Sequence, residues 1–274
     1  MRKWRLMLTT LPIVAAVLGV KLLLRYLGFE GAIEFGDVGV VLTGAVFLTG
    51  FMLAGVMTDY KESEKLPGEL ACALENLEET LVAGARSKQL DVAEMRLAIV
   101  GLIETVKRWL TNHEADSTLY AAISAFSIQL EKLEAAGASS SAGRAQYELW
   151  TVRRHLTRMD VIHKTTFLQT GYALLDTLVG LSILIVIATK FKTQLAEVIV
   201  VPVVTLIFVY MLRLIRDADD PFDYDSAGRA GAADVDLFPL TDYEARLRSR
   251  LKDDVQRVGS VGGVVGVGVG GLRA

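Results

Sequence analysis

One cysteine, Cys72, stands in a chain of 274 residues, so no disulfide can form within it. Cys72 falls in a segment of helical period, where a small buried residue is the expected role. Histidine is scarce too. His113, His155 and His163 have no metal-ligand spacing among themselves and read as interfacial or solvated side chains. Neither sign of charge dominates: 29 basic residues face 32 acidic ones. A nucleic-acid binder would show a basic excess on one face. No segment of useful length alternates apolar and polar residues with period two, which argues against a sheet-built fold. The chain has no Gly-x4-Gly-Lys phosphate loop and no Gly-x-Ser-x-Gly nucleophile elbow. The Asp-Gly and paired membrane aspartates used by metal-dependent lipid phosphotransferases are also missing. These absences argue against an enzyme.

Apolar residues are abundant. They make up 52% of the chain, and the mean hydropathy is +0.39, above the usual share for soluble domains. The excess gathers in four blocks, roughly 7–27, 38–57, 167–188 and 198–214. Each approaches the about 20 residues a helix needs to cross a bilayer. Backbone groups in hydrocarbon must bond within their own segment, so the blocks are expected to be helices. The start, Met1-Arg2-Lys3-Trp4-Arg5, is like a signal-peptide n-region, but no small-residue cleavage site follows, and a retained helix is expected. Lys21 and Arg25, near the end of the first block, are expected to snorkel to the interface. A short Gly-Phe-Glu-Gly turn near Gly28 joins blocks one and two, and 190–197 joins three and four, giving two hairpins. Arg2, Lys3 and Arg5 precede the first block, Arg153, Arg154, Arg158 and Lys164 the third, and Arg213 and Arg216 close the fourth. The positive-inside rule then puts both termini and the long central segment in the cytoplasm, with Lys190 and Lys192 outnumbered on the other side.

Residues 59–165 carry helical period. Leu66, Leu70, Leu74, Leu77 and Leu81 recur at three- and four-residue steps, as do Leu119, Ile123, Phe126, Leu130 and Leu133. Pro67 and Glu69 suit a helix start. Breaks are expected at 84–88, 111–116 and 137–143, the last a Gly/Ser/Ala run read as a loop. From Arg144 a helix could run unbroken into the third membrane block. Thr241 is placed to cap a short helix from Asp242, with Glu244 at the capping-box position. From Gly259 the chain alternates glycine and valine and is expected to be flexible. The organisation expected is therefore 1–58, a first transmembrane hairpin; 59–165, a cytoplasmic helical region; 166–216, a second hairpin; 217–258, an acidic segment with a short helix; and 259–274, a tail. The fold class is an all-α integral membrane protein.

Two short motifs carry a family resemblance. Phe47-Leu48-Thr49-Gly50-Phe51, then Val56-Met57-Thr58, then Leu66-Pro67 resembles the second membrane helix of the bestrophin family. Asp220-Pro221-Phe222, followed by further acids, resembles the segment after that family's last membrane helix. The four-helix layout with a helical insert between hairpins is similar as well. Where many members have Arg-Trp after the Val-x-Thr, this chain has Asp59 and Tyr60, and Thr43 stands where a branched apolar residue is usual.

The resemblance implies a homopentamer in the lipid bilayer that passes chloride or another small ion. It further implies a pore whose narrow neck is lined by Thr43, Phe47 and Phe51. Their i, i+4, i+8 spacing puts them on one helical face, and five copies would stack three rings. Apolar rings can gate by dewetting, and aromatic edges turned to the axis suit an anion. Gly44, Gly50, Ala54 and Gly55 are small enough to permit close helix approach. The competing reading of Phe47 and Phe51 is plain packing between helices or against lipid. The acids Asp217, Asp219, Asp220, Asp223 and Asp225 admit two readings: a Ca²⁺ site, as in calcium-activated bestrophins, or a solvated patch at a helix end. Asp176, inside the third block, reads as a buried ionisable group, with Lys21 or Arg25 as possible partners. A non-conducting membrane scaffold, binding partners through the striped central helices, is the alternative to a channel.

Overall fold

The protein is described from a computed structural model, covering residues 2–112, 114–165, 169–224, 231 and 233–265. The chain divides into two compact units. The first comprises Met1–Ser63, Ile162–Asp223 and Ala230–Val235, and the second Glu64–Val161, Tyr224–Arg229 and Asp236–Ala274.

The first unit holds α1 (Arg2–Tyr26), β1 (Ile33–Glu34), α2 (Phe35–Ser63), α8 (Gln169–Ala188), β2 (Thr189–Lys190) and α9 (Gln194–Asp219). All four helices are long and apolar enough to cross a bilayer. The third block was expected from 167; its first two residues lie outside those described, and α8 begins at Gln169. α9 is the centre of the unit: α1 packs on it, α2 packs on it and on α8, and α8 packs beside it. The helices joined by the first turn thus find their main partner in α9 rather than in each other. Val201, Thr205, Phe208 and Ile215 of α9 are buried, and Val38, Leu42, Ala45 and Val56 of α2 and Leu175, Val179 and Val186 of α8 join the same core.

The turns carry their own constraints. Gly31 has φ +109°, and a Cβ there would lie 2.7 Å from the backbone nitrogen of Lys190. Only glycine allows the chain to pass so close to β2. Ala32 N–H then donates to Ala188 O at 2.8 Å, and β1 pairs with β2 in parallel, Ile33 with Thr189 and Glu34 with Lys190. Thr193 caps α9, its hydroxyl accepting from Ala196 N–H at 3.2 Å.

Lys21 does not snorkel. It is 1% exposed. Its ammonium donates to Ile187 O at 2.8 Å and Thr189 O at 2.6 Å, and it lies 3.8 Å from the buried Glu197 carboxylate, which Arg25 also binds. The last carbonyls of a helix have no partner of their own. Here a lysine from α1 reaches Ile187 O of α8 and Thr189 O just past its end, and the carboxylate in the first turn of α9 balances the charge.

The second unit holds α3 (Leu66–Ser87), α4 (Val92–Asn112), α5 (Asp116–Ser124), α6 (Phe126–Ala135), most of α7 (Ser139–Lys164) and α10 (Phe238–Val265). Both expected stripes face inward: Leu66, Leu70, Leu74, Leu77 and Leu81 on α3, and Leu119, Ile123, Phe126 and Leu133 on α5 and α6, are buried. Pro67 sits in the first turn of α3 with Glu69 close by. Cys72 points away from the stripe and is exposed, contrary to expectation. α3 runs through Gly84 because a Cβ there would come within 2.8 Å of Ser141 Cβ; the break falls at Lys88 and Gln89, where φ reaches +55°. The Gly/Ser/Ala run is mostly helix, since α7 starts at Ser139 after a turn at Gly137. α7 ends at Lys164 and Thr165 is not helical, so the helix that holds Arg144 does not run unbroken into α8.

α10 is longer than expected at both ends. Asp236, not Thr241, caps it, accepting from Phe238 N–H at 3.0 Å. Thr241 lies inside the helix and donates to Leu237 O. The helix continues past Gly259 to Val265; 266–274 lie outside the described residues. A buried ionic network holds α10 to α3 and α4. Glu78, 1% exposed, accepts from Arg96 Nε at 2.8 Å, Arg250 Nη1 at 2.6 Å and the Tyr243 hydroxyl at 3.2 Å. Asp254 binds the other side of Arg96.

Lys21→Met removes the only buried cation beside Glu197 and uncovers two carbonyls. It is expected to destabilise the detergent-solubilised protein by about 3 kcal/mol, seen as a lowered thermal midpoint. Lys190→Met breaks only the exposed pair with Glu30 and is expected to leave the midpoint unchanged.

Candidate functional site

α2 has one buried stripe and one open face. Val38, Leu42, Ala45, Thr49 and Val56 point into the first unit. On the other side, Phe47 is 72% exposed and Phe51 71%. Gly44, Ala54 and Thr58 share this face and are exposed. Thr43 is exposed too, but it sits at the edge of the face. Its hydroxyl donates to Gly39 O at 2.8 Å, so its own helix satisfies it. Beside it lies an apolar cleft of about 250 Å³, lined by Leu42, Thr43, Val46, Val204, Ile207 and Phe208. Sequence reasoning missed Val40, which is 80% exposed. Val40 is seven residues before Phe47, nearly two helical turns, so it continues the aromatic face. Among the described residues, and apart from the helix's own adjacent backbone, a Cβ at Gly44 or Gly50 would meet no atom within 4 Å. The room these glycines leave is not used by any helix of the same chain.

Asp176 is not buried. Its carboxylate accepts from Arg216 Nη2 at 2.6 and 2.7 Å, and the two side chains are 46% and 53% exposed. The partner expected from α1 is taken instead by Glu197, and Asp176 ties the start of α8 to the end of α9.

The acids after α9 each have separate surroundings. Asp220 Oδ1 is 3.1 Å from His163 Nδ1. Asp217 accepts from the Ala233 backbone N–H, while its Oδ2 is buried with no hydrogen-bond partner. Asp223 is exposed, and Asp219 lies in the last turn of α9. Asp225 lies outside the described residues. Among the described residues no three His, Cys, Asp or Glu side chains form a group that could hold a metal ion. Asp234, from the segment after, joins the group instead and accepts from Gly231 N–H. Burial pushes its carboxyl up to about 6, against that N–H, with Asp217, Asp223 and Asp220 adding to the rise. His155 is buried against Glu69 at 3.4 Å, not solvated, and burial pulls its imidazole down. His113 lies outside the described residues.

Comparison with known folds places this architecture. The chain superposes on a bacterial bestrophin homolog from Klebsiella pneumoniae with a TM-score of 0.68 and 15% identity, covering 92% of this chain and 100% of that one. A second structure of that homolog gives 0.67 at 16% identity, over 91% and 98% of the two chains. A structure described as a membrane protein gives 0.72 at 15% identity, over 89% and 98%. The fold is the bestrophin-homolog fold. No family model matches the sequence, and no curated protein does.

Asp234 is more readily protonated folded than unfolded, so the fold binds the extra proton between its ordinary carboxylate range and about 6. Stability from this group therefore falls as pH rises through that window. The thermal midpoint is expected to rise between pH 7 and pH 5 more in the wild type than in Asp234→Asn, measured side by side in one detergent.

Proposed function

We propose that this protein is an oligomeric ion channel of bestrophin type. The reading rests on one observation: two phenylalanines one turn apart on a bilayer-length helix, Phe47 and Phe51, are both about 70% exposed. Copies arranged around an axis would bring these rings together, with Thr43 at the edge, as an apolar neck. The likeness to bacterial bestrophin homologs over nearly the whole length of both chains supports it. The assembly is a homopentamer, as the resemblance implies. An anion such as chloride is the favoured ion, since ring edges present the positive part of the aromatic quadrupole. A narrow apolar tube holds water poorly, so the neck closes by dewetting and opens by widening. The basic residues that flank the spans support an orientation with both termini in the cytoplasm.

Recording from purified protein in a planar bilayer tests this. Phe47→Ala and Phe51→Ala are each expected to raise conductance several-fold or abolish closure. Unchanged currents in both variants would remove the neck. An intact assembly without ion flux would favour the scaffold reading.

A further inference from the structure

α7 carries an exposed face rich in arginine. Trp150, Arg153, Arg154, Thr157, Arg158 and Val161 line one open cleft of about 390 Å³. Val152, Leu156 and Met159 are buried on the opposite side of the helix, so the cleft residues are held out by the packing. Between Leu149 and Met159 the helix has no acid. Many arginines of this protein sit against carboxylates: Arg96, Arg108, Arg216, Arg246, Arg248 and Arg250 do. Among the described residues, Arg153 and Arg154 have no carboxylate partner. Two neighbouring guanidinium groups without one repel each other, a cost the fold does not relieve within the chain.

The surroundings are built for more than solvation. Arg154 lies over the Trp150 ring, with its guanidinium carbon 5.3 Å from the centroid. That contact limits the arginine's freedom and leaves its N–H edge outward. Tyr147 meets Trp150 at 5.8 Å between centroids, which steadies the indole in turn. Arg158 follows Arg154 by four residues and lies on the same face.

We propose that this face of α7 binds a phosphate-bearing anion, with Arg153 and Arg154 as its guanidinium clamp and Trp150 as the wall beside it. Planar guanidinium forks match the paired oxygens of a phosphate, whereas a spherical halide gains nothing from the fork. A phosphorylated small molecule and a lipid headgroup share this chemistry. The proposal stands apart from the channel reading, since it needs no ion flux.

The full-length protein in neutral detergent is titrated calorimetrically with inorganic pyrophosphate, and separately with phosphatidic acid in mixed micelles. Arg153→Ala/Arg154→Ala is expected to bind about tenfold more weakly, and Arg153→Lys/Arg154→Lys to remain weakened because the charge survives without the fork. Binding of both probes assigns a soluble phosphate ligand, and binding of the lipid alone assigns a headgroup; either upholds the site. Three results overturn it: no binding of either probe, equal binding by the alanine variant, or competition by chloride as strong as by pyrophosphate. A change of subunit number in the alanine variant, read by light scattering, also overturns it by making the face a contact between copies.

Discussion

The spanning unit depends on a lysine inside it. In hydrocarbon an unsatisfied carbonyl costs several kcal/mol, and a helix that ends there leaves four. α8 ends where Thr189 and Lys190 pair with a strand of only two residues. Lys21 donates from a different helix to Ile187 O and Thr189 O, while Ala32 N–H and the Thr189 hydroxyl reach Ala188 O and Ile185 O. That choice creates a buried charge, and Glu197 with Arg25 answers it. The cluster joins α1, the end of α8 and the start of α9 at one point. Asp176 and Arg216 do the same for α8 and α9 at their other ends, although in a setting half open to its surroundings, where a pair contributes less. With α9 fixed from both ends, the helices packed on it have little choice of rotation.

α2 shows what that restriction produces. Its buried stripe is set by contact with α8 and α9. Everything roughly opposite the stripe must point outward, and those positions hold Val40, Phe47 and Phe51. The aromatic face is therefore a consequence of how the rest of the unit closes. A substitution that let α2 turn would move the rings without touching them.

How far the sequence could be read follows from the range of each interaction. Period and length are local, so the four spanning helices and the leucine stripe of α3 were visible in residue spacing. Long-range ion pairs were not. Nothing in the spacing joins Lys21 to Ile187 or Glu197, because it stands more than 160 positions from either. Asp176 invited a partner from α1 for want of any signal from Arg216, forty residues away. The four-way ionic junction at Glu78 escaped for the same reason. Glycine misled in both directions. Gly84 read as a helix break, but it is a contact point for Ser141 inside a helix. The Gly/Ser/Ala run read as a loop, but small residues enter a helix readily when its other face has something to pack against. At the acidic segment, residue type was legible and geometry was not: Asp217 and Asp234 each accept from a backbone N–H, and Asp234 comes from a segment the spacing did not connect to the others.

An exposed phenylalanine in a spanning helix does not by itself distinguish lipid from a pore, since both sides of that choice are apolar. Composition of the face does. The outward residues of α8 include Leu174, Leu181 and Leu184, and those of α1 include Leu8, Leu11 and Leu23. These are long aliphatic chains that suit acyl tails. The open face of α2 mixes small residues with bulky ones: Val40, Gly44, Phe47, Leu48, Phe51 and Ala54, with Val41 and Val46 at its flanks. Glycines with empty space above them waste contact against lipid, which would flow in to fill it at an entropic cost. They cost nothing where another rigid helix comes close. Under the channel reading proposed above, small residues beside aromatic ones would let copies of α2 meet at the glycines and carry the rings past that contact.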